Sequence, residues 1–200
     1  MTARIAWTYQ DYAALPNDGK RYEIHDGELS VTPAPTSLHQ IVSANLFRVL
    51  DAHVLARSLG LVLYAPLDVI LSDGPSETTI LQPDLVYLDD DRLEALHIRG
   101  VEGPPTLAIE ILSPSTAPAD RTRKRALYAR YGVPYLWLVD PDARDVEAHV
   151  LRAGEYVVQA RVSGPQPVDL PPFTDLGLVP SSLWPEPLPH RPGGRFPLAP

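Results

Sequence analysis

Apolar positions recur along this chain with two different periods, and their succession predicts a mixed order of helices and strands. A short helix is expected over Thr8–Leu15 with Thr8 as its N-cap, followed by the hairpin "RYEIHDGELSVTP" turning at Asp26-Gly27. From Thr36 or Ser37 to about Arg57, His39, Val42, Leu46, Val49 and His53 fall on one stripe at helical spacing, the mark of a helix lying on a sheet. "LGLVLYAPLDVIL", "DLVYLD", "TLAIEILS", "PYLWLVDP", "DVEAHVLR" and "EYVVQARV" are rich in branched and aromatic residues and predict strands, with a further helix from about Ala117 to Tyr131. The expectation is an α/β (α+β) domain in which helices flank a central mixed β-sheet.

Composition narrows this without redirecting it. A chain of 200 residues is long enough to bury about two-thirds of its unfolded surface in a single core, so one domain is expected, residues 1–178. Residues 179–200 carry a proline-rich tail: from Pro180 onward there are seven prolines and two adjacent glycines, which leaves few backbone donors and no period. No apolar run approaches the ~20 residues that span a bilayer, and the N-terminus has no apolar stretch ending in a small-residue cleavage site. Zero cysteines exclude a disulfide, a thiolate nucleophile and a zinc-thiolate centre, and the cytoplasm is the default compartment. A net charge of -8 and a pI near 5.1 argue against a broad basic surface for nucleic acid. Carboxylates converging on a divalent cation would soften that objection, because the ion inverts the local field.

Strand alternation identifies such carboxylates. In "TLAIEIL", Leu107, Ile109 and Ile111 share one face while Ala108, Glu110 and Leu112 share the other, so both faces look buried and Glu110 needs compensation. In "QPDLVYL", Asp84 leads the preceding strand directly after Pro83, where a proline removes no ladder bond. If the two strands are neighbours, Asp84 and Glu110 lie side by side, and without a cation one pKa would rise. Hard oxygen ligands of this kind suit magnesium or manganese. On the next helix Asp120, Lys124, Leu127, Tyr128 and Tyr131 share a stripe, which turns Lys124 toward the sheet. The plainer alternative makes Asp120 and Lys124 an i, i+4 pair and Arg121, Arg123 and Arg125 a solvated face.

Pro83-Asp84 at one strand, Glu110 inside the next and a lysine on the following helix resemble the core of the PD-(D/E)XK nuclease superfamily. The ordered set "RYEIHDGEL", "SLHQIV", "QPDLVYL", "EILSPST" and "DRTRKRALYARYGVPYLWLVDP", covering roughly Trp7 to Leu178, is similar to the Uma-type family of restriction-endonuclease-like proteins. The resemblance implies a restriction-endonuclease-like core and Mg2+-dependent hydrolysis of DNA phosphodiesters, with Mn2+ able to substitute. It implies Asp84, Glu110 and the Ile111 backbone carbonyl as metal ligands and Lys124 as the residue that orients water or neutralises phosphate. In the superfamily's plain form the lysine lies on the strand two residues after the acid. That position here is Leu112, and the resemblance implies that the lysine has moved to the helix, with Lys124 as the candidate.

Glu23 and His39 are further candidates, Glu23 for a place near the metal and His39 for contact with substrate. Glu28 is read as a hairpin residue, His53 as structural, Asp68 as a further acidic neighbour or, more simply, as solvent-facing near a strand end, Asp140 as a turn former with Pro141, and Ser113 and Ser115 as helix-entry caps. Three functions compete: a DNA endonuclease, a non-catalytic nuclease-like module that binds a protein or nucleic acid, and a metal-dependent hydrolase of small phosphoesters. Analogy with nucleases that cut two strands by pairing subunits makes a symmetric homodimer an expectation.

Overall fold

The computed structural model describes residues 6–74, 77–113, 117 and 120–185. Helix α1 spans Tyr9–Ala13, and Thr8 and Asp11 close a reciprocal capping box at its start. The hairpin of β1 (Arg21–His25) and β2 (Glu28–Thr32) turns at Asp26 and Gly27, both with positive φ (53° and 75°), as a two-residue turn between twisted strands demands. Helix α2 spans Ser37–Arg57. It buries His39, Val42, Leu46, Leu50, His53 and Val54, so its inner stripe turns from Val49, which is half-buried, to Leu50.

The long strand expected across "LGLVLYAPLDVIL" is two strands in two sheets. β3 (Leu61–Tyr64) and β4 (Val69–Ser72) are separated at Pro66, which has no amide hydrogen for a ladder. β5 (Thr79–Leu81), β6 (Leu85–Leu88), β7 (Leu96–His97), β8 (Gly100–Glu102) and β9 (Leu107–Ile111) follow. Of these, β5, β7 and β8 have two or three residues each, too few for a periodic signal. Gly100 stands where β8 meets β4: its φ is +133°, and a Cβ there would lie 2.3 Å from the Asp68 carbonyl oxygen. Helix α3 begins with one wide turn, Asp120–Lys124, and continues as regular α-helix through Arg125–Arg130. Strands β10 (Tyr135–Asp140), β11 (Asp145–Arg152) and β12 (Glu155–Val162) complete the sheets.

The strands form two six-stranded mixed sheets, ordered β2-β1-β5-β4-β8-β7 and β12-β11-β10-β9-β6-β3. In the second, β9 and β10 run parallel, joined through α3, and β6 runs antiparallel to β9. β9 is covered on both sides: Leu107, Ile109 and Ile111 pack with Val42, Leu46 and Leu50 of α2, while Ala108 and Leu112 pack with Leu127 and Tyr128 of α3. The stripe predicted for α3 is therefore its inner face.

The packed chain also runs past Leu178, the end expected for the domain. Pro180–Leu183 form a short 3-10 turn, and Leu183 and Trp184 join the α2 core beside Leu170 and Phe173. Asn45 of α2 donates to the Leu183 carbonyl (3.1 Å), and the Trp137 indole donates to the carbonyl of Pro171 (2.7 Å). Proline content hid these apolar anchors; the remainder of the proline-rich segment, 186–200, lies outside the described residues. Replacing the fully buried Leu183 with alanine is expected to destabilise the protein by about 2–5 kcal/mol, the usual cost of a large-to-small core change, measured by urea unfolding. A loss below about half a kcal/mol would place the segment outside the cooperative fold.

Candidate active site

One cleft of about 410 Å³ collects the acidic and basic residues that the strand and helix periods pointed inward. Its floor is the end of β9 and the start of β6. The Asp84 amide donates to the Ile109 carbonyl (3.0 Å), continuing the antiparallel ladder by one residue and placing Asp84 beside Glu110. Its walls are β1, the amino end of α2 and the first turn of α3. From β1, alternation turns Arg21, Glu23 and His25 into the cleft while Ile24 enters a separate apolar cluster.

Asp84 is almost completely buried, and three donors converge on it. Arg21 Nη2 is 2.7 Å from Oδ1, while His39 Nε2 (3.0 Å) and the Ile111 amide (2.7 Å) meet Oδ2. Burial works against the charge, but the His39 hydrogen bond, Arg21 and the Ile111 amide outweigh it and lower the pKa below the usual carboxylate range.

Lys124, also buried, stands among three carboxylates: Nζ is 2.5 Å from Glu110 Oε1, 2.9 Å from Glu23 Oε1 and 3.7 Å from Asp120 Oδ1. Burial opposes its charge and the three acids more than restore it, so its pKa rises well above the ordinary lysine value and the ammonium stays protonated. Glu23 and Glu110 then part company. Burial raises both, but Glu23 also has His25 (3.2 Å) and the Gln82 amide (2.7 Å), and with Lys124 these bring it down to about 2. Glu110 accepts from the Tyr128 hydroxyl (2.6 Å) and faces Asp120, Asp84 and Glu23; burial and these like charges push it up to about 8 although Lys124 is closer to it than to Glu23. This is the rise that two carboxylates at one sheet end require when too few cations face them.

Among the described residues no group of three or more histidine or acidic side chains is arranged to hold a metal ion by itself. Magnesium does not need such a cage, since it takes one or two carboxylates and completes its shell with water and substrate oxygens. With every acid ionised, as a bound cation would require, Glu23, Asp84, Glu110 and Asp120 set four formal negative charges against the two of Lys124 and Arg21 among the described lining residues, histidine being counted as neutral. The surplus of two matches one divalent cation, and the hard oxygens of Asp84 and Glu110, with Ile111 beside them, suit it chemically.

The residues named from the sequence therefore meet: Asp84, Glu110, Lys124, Glu23, His39 and Ile111 all line the cleft. Glu28 lies on the hairpin as read and accepts from Arg123 (2.8 Å). His53 packs edge-on against Phe173, and Asp140 accepts from the amides of Asp142 and Ala143 in the expected turn. Ser115 lies outside the described residues. Two readings change. Asp68 is not simply solvated: it accepts from the Tyr12 hydroxyl (2.6 Å) and the Gln82 side chain (2.8 Å), because the break at Pro66 moved its strand into the first sheet. The arginines of α3 are paired as well as partly solvated, Arg121 with Asp140 and Glu147, the exposed Arg123 with the His25 carbonyl and Glu28, and Arg125 with the Tyr156 carbonyl. Sequence reasoning missed Arg21, although its two-residue spacing from Glu23 was the available signal.

Residues 9–182 match the sequence model of the Uma2 family, described as "Putative restriction endonuclease". The chain belongs to the Uma2 family. Among solved structures, it is similar to "a putative nuclease belonging to DUF820" from Anabaena variabilis, with 19% identity, 88% of this chain and 97% of that chain covered, and a TM-score of 0.67. That likeness shows a nuclease-like fold; none of the curated proteins matches. No helix among the described residues is long and apolar enough to cross a membrane.

The site of this Uma2 member makes stability depend on pH. Glu110 keeps its proton to about 8 when folded but loses it near 4.5 when unfolded, so the native state binds the extra proton between those values. Its contribution is complete below pH ~4.5 and is lost as pH rises toward ~8. Urea unfolding of the wild type and of Glu110→Gln is expected to show a fall in stability over this window that the variant lacks. Parallel pH profiles would refute the assignment.

Proposed function

We propose that this protein is a metal-dependent endonuclease that hydrolyses DNA phosphodiester bonds, with Mg2+ as its ion and Mn2+ able to substitute. The observation that carries the reading is the convergence, in one cleft, of Asp84 and Glu110 from adjacent strand ends with Lys124 from α3, under an excess of negative charge. In this reading Asp84, Glu110 and the Ile111 carbonyl hold the ion. When bound, it supplies charge stabilisation for the phosphoryl oxygens and lowers the pKa of water.

The chain's own residues do the rest. Lys124, kept protonated by three acids, acts as a fixed positive charge and hydrogen-bond donor toward the phosphate or the attacking water rather than as a base. Glu23, held ionised and anchored by the Gln82 amide, keeps the ammonium in place. The His39 and Ile111 donors fix the orientation of Asp84, and Tyr128 fixes that of Glu110.

A second reading, a non-catalytic nuclease-like module that binds a protein or nucleic acid, is favoured by one observation. Asp84 and Glu110 already have protein cations as partners, with Leu112 where the plain form of the superfamily places its lysine. Calorimetric titration of Mn2+, followed by incubation with supercoiled plasmid DNA, separates the two. The wild type is expected to bind the ion and cut the plasmid. Glu110→Gln should lose the binding heat and cut at least about a hundredfold more slowly, the scale of removing one group that stabilises transition-state charge. Wild type that binds no ion and leaves plasmid intact would move the module reading to first place.

A further inference from the structure

An acidic protein that cuts a polyanion needs a local place for the phosphate, and the cleft's cations are unequal in this respect. The Lys124 side chain is 4% exposed and surrounded by acids, whereas that of Arg21 is 18% exposed. The Arg21 side chain makes one hydrogen bond among the described residues, from Nη2 to Asp84 Oδ1. A guanidinium carries five N–H donors in a planar fork that matches two phosphate oxygens, so most of its donor capacity remains. Across the hairpin, the register sets Thr32 opposite Arg21 and Ser30 opposite Glu23, and both line the cleft. Neither hydroxyl has a hydrogen-bond partner among the described residues.

We propose that Arg21, with the Thr32 and Ser30 hydroxyls beside it, forms a subsite for a backbone phosphate of nucleic acid, and that Arg21 turns from Asp84 to this phosphate when a divalent cation takes the carboxylate. The inference rests on the nuclease reading and extends it by assigning the substrate-binding wall to the β1–β2 hairpin. Arg21 and the cation are then alternatives at Asp84, so removing the guanidinium acts in opposite directions on the two ligands. An arginine that only braced Asp84 would, on removal, weaken both or neither.

The test compares wild type, Arg21→Met and Thr32→Val. Mn2+ binding is measured by calorimetry, and binding of a fluorescein-labelled DNA oligonucleotide is measured by anisotropy with Mn2+ present, with inorganic phosphate as competitor. Arg21→Met is expected to bind Mn2+ about threefold or more tightly, because a competing cation has gone. It should bind the oligonucleotide about tenfold more weakly, the scale of one charge-assisted contact. Thr32→Val, which leaves the Arg21–Asp84 pair intact, should weaken the oligonucleotide about threefold at unchanged Mn2+ affinity.

Weaker Mn2+ binding in Arg21→Met, or oligonucleotide affinities equal to wild type, overturns the inference. If Arg21→Met does not fold, wild-type oligonucleotide affinity in Thr32→Val overturns it. So does inorganic phosphate binding as tightly as the oligonucleotide, which would make this a site for free phosphate. Wild type that binds neither ion nor oligonucleotide removes the nuclease reading together with this one, whereas a competent wild type with an unaffected Arg21→Met removes this one alone.

Discussion

A carboxylate on a strand buried from both sides must find compensation, and the architecture around Glu110 is organised by that requirement. β9 is covered by α2 on one face and α3 on the other, so solvent cannot stabilise the charge. Lys124 supplies the opposite charge from α3 and Tyr128 a hydroxyl one turn further on, which makes the register of α3 against the sheet a matter of electrostatics as well as of packing. The arginines on the same helix hold that register from outside, through Asp140, Glu147, Glu28 and the His25 and Tyr156 carbonyls.

Lys124 cannot satisfy all the acids it meets. Glu23 has further donors and is held ionised, while Glu110, facing three like charges, is left short. The same deficit that raises one carboxyl's pKa makes the cleft a place for an additional cation. Asp84 differs because Arg21, His39 and a backbone amide all stabilise its ionised form. The two carboxylates are therefore neighbours with unequal surroundings, one fully supplied with donors and one not.

Much of this was legible before any coordinates. Alternation in "TLAIEIL" put Glu110 on a buried face, Pro83 marked the start of the strand led by Asp84, and helical spacing turned Lys124 inward. These are local periodicities, set by the geometry of a strand or a helix whatever surrounds it. The position of β1 was not of this kind. Two-residue spacing shows that Arg21, Glu23 and His25 share a face, but it cannot say whether that face meets solvent or a cleft. Pairing of β1 with β5 decides this, and β5 has three residues and no readable pattern.

By itself, then, the sequence determined which residues share a face, where the hairpin turns and which helix stripe is apolar, because backbone geometry and side-chain polarity act over a few residues. The tertiary structure alone decided that "LGLVLYAPLDVIL" divides between two sheets, that Leu183 and Trp184 close the core, and that Arg21 and His39 meet on Asp84. Each of these joins segments far apart in the chain. Their meeting depends on how whole surfaces exclude water and satisfy charge, which no local pattern records.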